Sequence, residues 1–167
     1  MKKIALFLPL LVLPLVAHPQ KTPVDNLFKK YYGKKGFTTV LVNKAAFEVI
    51  SKQEKSKGNF EGSLGKIDRV RVIAQEDDSN RVEGVNFMEE LKSASFEGYK
   101  ELVVVKESDE EVMVLAKQDG EVLTELLILV SGKDNVMVSV EGRFNMEDLE
   151  ELSQLQGLEG LDKIIDP

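Results

Sequence analysis

Five apolar residues in succession, Leu126 to Val130, stand within a run of strand length, "EVLTELLILV" at 121–130, and no other feature constrains the fold as much. Side chains alternate between the two faces of a strand, so a run with no polar member needs apolar cover on both. Three further runs share its length and its β-branched character: "ELVVVKE" (101–107), "EEVMVLAK" (110–117) and "NVMVSVEG" (135–142). Asp119-Gly120 marks a tight hairpin, and Gly132 to Asn135 a longer turn. Strands that follow one another by hairpins predict an antiparallel arrangement with 121–130 near its middle. In the last run, Val136, Val138 and Val140 alternate with Met137, Ser139 and Glu141, which predicts one face toward solvent.

Upstream, Val24, Leu27, Phe28 and Tyr31 recur on one helical face and Gly33 supplies a stop, predicting a helix over 24–32. "FTTVLV" (37–42) reads as a strand. Asn43 then caps a helix that buries Phe47 and Ile50. Residues 53–65 read as a long loop. In "IDRVRVIA" (67–74), Val70, Val72 and Ala74 fall on one face and Arg69 and Arg71 on the other, the pattern of a half-exposed strand. A helix is expected around 84–94 from Val85, Met88 and Leu91. A last one follows Asn145, with the stripe Met146, Leu149, Leu152 and Leu155, and stops near Gly157. Together these elements predict an α+β, two-layer domain: a mainly antiparallel sheet of about six strands with helices packed on it, a mixed sheet being allowed by the connection after 37–42.

The chain of 167 residues suits a single domain, expected over 24–156 between an N-terminal linker at 18–23 and a C-terminal tail at 157–167. Residues 1–17 read as a signal peptide. Met1-Lys2-Lys3 is a basic start, Ile4 to Val16 is apolar with Pro9 and Pro14 inside it, and Ala17 is a small residue for cleavage. The apolar stretch is too short for a span, since a membrane helix needs about 20 apolar residues. Periplasmic or secreted localisation is therefore expected, with no stable membrane insertion once the leader is removed. There is no cysteine, so neither a disulfide nor a lipoprotein anchor is available. The net charge of −7 speaks against nucleic acid and anionic lipid headgroups as partners.

The only histidine, His18, stands beside the expected cleavage point. The folded part then lacks imidazole, and with it the commonest general base, histidine-activated nucleophiles and zinc sites built on histidine and cysteine. Glu76-Asp77-Asp78 does not have the alternating acidic spacing of a calcium loop, and "GNFEGSLGK" lacks the spacing of a phosphate-binding loop; both read as solvated connections. Glu107 to Glu111 reads as a solvated hairpin. No cofactor, metal site or catalytic residue is assigned. Four residues are candidates for contact with a ligand or partner. Arg69 and Arg71 present two guanidinium groups on one strand face to carboxylates, their simpler role being cross-strand pairing with glutamates, and Phe60 and Leu64 are the large apolar side chains of the long loop.

The blocks "NLFKKYYGKKGFTTVLVNKAAFEVI", "YKELVVVKE", "DGEVLTELLILVSG" and "VSVEGRFNMEDLEEL", in that order, resemble the family known as domain of unknown function 4252, over about Val24 to Leu155. That resemblance implies a small exported α+β protein, found mostly in Bacteroidetes, and carries over no catalytic residue. The function expected is a non-catalytic envelope protein acting as a protein-interaction module, with an envelope protein as its partner. Two alternatives stand beside it: a carrier of a small apolar or amphipathic ligand, and a carboxylate-dependent enzyme acting on an envelope polymer.

Overall fold

A computed structural model describes residues 22–54, 65–76, 80–146 and 148. In chain order these form α1 (Pro23–Tyr31), β1 (Phe37–Asn43), α2 (Lys44–Glu54), β2 (Ile67–Gln75), α3 (Phe87–Ser93), β3 (Lys100–Lys106), β4 (Glu111–Asp119), β5 (Val122–Ser131) and β6 (Val136–Phe144). Six strands make one sheet in the order β1-β2-β6-β5-β4-β3. All five pairings are antiparallel, so the mixed sheet allowed by the sequence is not formed. The fold is α+β.

Local chemistry explains the element ends. Thr22 Oγ1 accepts from the Asp25 amide at 3.1 Å while Asp25 Oδ2 accepts from the Thr22 amide at 3.0 Å, a reciprocal cap, and Pro23 opens the helix where no intrahelical donor is needed. Asn86 caps α3 by accepting from the Glu89 amide at 3.0 Å. Gly120 holds φ +65° in the β4–β5 turn, a left-handed conformation that glycine adopts without a Cβ clash.

The two faces of the sheet carry different cores. On the first, α1 packs against β2 and α3, and α3 against β5 and β6. Tyr31, Phe37 and Phe87 stack there with Ile73, Met113, Leu127, Leu129 and Met137. Asn135 ties this layer together. Its buried side chain accepts from the Phe87 amide at 3.1 Å and donates to Gln75 Oε1 and the Val85 carbonyl, each at 3.0 Å. On the second face α2 lies over β1 and β2 and inserts Phe47. There Val40, Val72, Val138, Ile128, Val114 and Val103 line up in register across all six strands.

β5 is buried on both faces, as its unbroken apolar run requires. Two strand readings are corrected. β6 does not face solvent on one side: it runs between β2 and β5, and Met137, Val138, Ser139 and Val140 are all buried. Nor is β2 half exposed with both arginines in water: that face lies under α1 and Arg71 is 2% exposed, while Arg69 keeps 39% of its side chain exposed. Alternation alone cannot say which face a later helix will cover. Residues 1–17, expected as a signal peptide, the expected end of the last helix and the expected tail at 157–167 lie outside the described residues.

Candidate functional site

Polar residues interrupt the first face at one end. Register places Arg69 beside Glu141, Glu141 beside Glu125 and Glu125 beside Lys117, a charged row running across β2, β6, β5 and β4. Arg71 stands one step farther in, on the same face. Each strand brings its charge to this row because residues two apart share a face, and antiparallel register sets the pairs opposite one another.

The connections are close. Arg69 donates to Glu141 Oε2 from Nε at 3.0 Å and from Nη2 at 2.5 Å. Arg71 donates to Asp25 Oδ1 at 2.5 Å, to Ser139 Oγ at 3.2 Å and to Glu141 Oε1. Lys117 Nζ donates to Glu125 Oε2 at 3.1 Å and lies 4.3 Å from the centre of the Tyr99 ring. Asp25 thus serves twice, once as the cap of α1 and once as a counter-ion of Arg71. Although partial burial raises the Asp25 pKa, the bond from the Thr22 amide and the charge of Arg71 outweigh it and leave the carboxyl below its ordinary range. At Tyr99 the shift runs upward: burial, then the Glu125 charge, hold the phenol protonated well above the ordinary range.

A surface hollow of about 280 Å³ opens over the row, lined among others by Thr22, Asp25, Arg69, Lys117 and Glu125. Two enclosed polar atoms beside the row, Arg71 Nε and the Tyr99 hydroxyl, make no hydrogen bond. Three cations, Arg69, Arg71 and Lys117, meet three carboxylates, Asp25, Glu125 and Glu141, so each acid is already neutralised by a neighbour. Such a set locks α1 to the sheet. Among the described residues no group of three or more acidic or histidine side chains is placed to hold a metal.

Of the sequence candidates, Arg69 and Arg71 are therefore together in this network, while Phe60 and Leu64 lie outside the described residues. Glu76 is described; Asp77, Asp78 and His18 are not. Asn43 ends β1 directly before α2. The sequence reading did not pair Asp25, Glu125 and Lys117 with the arginines. Thr22 and Asp25, three apart before an apolar helix, are a capping signal that was legible, whereas the cross-strand partners depend on register.

The second notable surface is the β3 edge. β1 and β3 are the two outer strands. Leu102, Val103, Val104 and Val105 on β3 are each between 40 and 44% exposed. Among the described residues no helix is long and apolar enough to cross a membrane.

No curated protein and no solved structure matches this chain. A family model described as "Domain of unknown function (DUF4252)" does match, over residues 31–152, from the end of α1 to beyond the last strand. The match takes in all six strands and most of the chain, and the protein belongs to this family.

Proposed function

We propose that this chain is an exported, non-catalytic protein that works by binding another protein along the free edge of its sheet. One observation carries the reading: four consecutive apolar residues, Leu102 to Val105, are exposed on an outer strand that has, among the described residues, no neighbour on one side. Exposed edges invite pairing by another chain, and proteins usually blunt them with charges, proline or bulges. β1 is the milder edge: Val40 and Leu41 are exposed on it, but Thr38, Thr39 and Asn43 flank them. β3 keeps lysines at its two ends and a bulge near Leu102, but its centre is apolar. An edge of this kind suits strand addition, in which main-chain hydrogen bonds supply affinity and alternate side chains supply selectivity.

The neutralised state of the charged row supports a non-catalytic role, and the basic start with the apolar stretch 4–16 supports export to the periplasm or the medium. A photo-crosslinking residue at Val104, expressed in the native host, tests the reading. Adducts are expected at position 104 and not at exposed Val49 on α2. An adduct pattern no different between the two positions would sink it.

A further inference from the structure

We infer that the partner strand for the β3 edge is β3 of a second copy, paired antiparallel about a two-fold axis at Val104. The inference rests on the reading of that edge as a binding site and adds the identity of its occupant. Two-fold pairing of a strand with itself requires that opposed residues share a face, and that like charges do not meet. β3 meets both conditions because of its irregularity.

Toward β4, the register of β3 slips between Glu101 and Val103, leaving Leu102 as an extra residue. Val103 and Val105 lie opposite Val114 and Val112, on the apolar second face; Val104 lies opposite Met113, on the first. Glu101 and Lys106 lie opposite Leu115 and Glu111, also on the first face, and Lys100 opposite Ala116, on the second. With Val104 on the axis, Val103 meets the second copy's Val105. An unbulged strand would then set Glu101 against the second copy's Glu107. The extra residue moves Glu101 opposite Lys106 and Lys100 opposite Glu107, with each pair on one face. An apolar centre is thus closed at both ends by opposite charges.

The backbone agrees with this placement. The Glu107 amide donates inward to the Glu110 carbonyl at 2.8 Å, and alternation from there turns the Val104 amide and carbonyl outward, as a pair sitting on the two-fold needs. Lys100 has a neutral neighbour within its own chain, Gln118 Oε1 at 2.9 Å, so its charge is available to a second copy.

Sedimentation velocity of the purified protein over a range of concentrations tests the inference, with thermal melting of each variant as the check on folding. A monomer–dimer equilibrium is expected. Val104→Pro removes an outward amide that β4 does not use, and it should abolish the dimer while leaving the melting temperature unchanged at concentrations where the wild type is monomeric. Lys100→Glu should weaken the dimer by at least about tenfold through like-charge opposition. Adding Glu107→Lys to Lys100→Glu should restore it. A wild-type monomer at every concentration, or a dimer that Val104→Pro leaves intact, would overturn the self-pairing. Heterologous adducts at position 104 beside a monomeric wild type would overturn the two-fold pairing and leave the interaction reading standing; no adducts at 104 would remove both.

Discussion

Alternate residues of the same strands build two unlike faces. On β2, Arg69, Arg71 and Ile73 look toward α1, while Val70 and Val72 look the other way. The first face encloses a charged guanidinium and is closed by helices that bring it a carboxylate; across the centre of the second runs the row Val40, Val72, Val138, Ile128, Val114 and Val103, with no charge in that row. The difference shows what burying charge demands. An arginine can be 2% exposed only where counter-ions and acceptors converge, and here three carboxylates from α1, β5 and β6 do so. A valine asks nothing of its neighbours but shape.

The contrast can be broken most severely at Arg71. Arg71→Met leaves Asp25, Glu125 and Glu141 enclosed with too little positive charge, and should cost about 3–5 kcal/mol in urea denaturation. A loss below about 1 kcal/mol would mean that water already screens the network. On the second face, Ile128→Ala removes methyl groups from a residue 1% exposed and should cost about 2–5 kcal/mol, through a cavity rather than through charge. Its cost should not change between low and moderate salt. Next in size, Asn135→Ala frees the Phe87 amide, Gln75 and the Val85 carbonyl, and about 1–3 kcal/mol is expected in the same assay. Asn86→Ala removes a cap and should cost about 1 kcal/mol, seen as a small drop in denaturation midpoint.

Acid separates the faces with the finest resolution. The folded-state pKa of Asp25 is lowered from its ordinary value near 3.8, so the stability it contributes is present above that value and lost as pH falls through the folded-state pKa below it. Stability measured from neutral pH to below 3.8 should therefore fall with a component that Asp25→Asn removes. Ile128→Ala should keep the wild-type slope. Equal slopes in wild type and Asp25→Asn would show that the carboxylate is not held by the Thr22 amide and Arg71 as the geometry indicates.

Much of the architecture was readable because local signals were strong. β3, β4, β5 and β6 begin and end within two residues of the runs seen in the sequence, since turn residues such as Asp119-Gly120 punctuate unmistakable apolar patterns. α1 follows its apolar stripe and ends before Gly33. The charged row was only half legible. Arg69 and Arg71 could be named, and cross-strand pairing with glutamates foreseen, but not that α1 would cover them. The β3 edge was missed as a site because "ELVVVKE" looks like any buried strand; only its place in the sheet exposes it.

Period and turn chemistry act between residues close along the chain, so the sequence by itself determined the antiparallel strands, their approximate ends and the doubly buried β5. Strand order and the side on which each helix lies depend on contacts between segments far apart, which no local pattern records. The tertiary structure alone decided that β6 would take β2 as its second neighbour beside β5, that Arg71 would be enclosed rather than wet, and that β3 would stand at the edge with its valines in water.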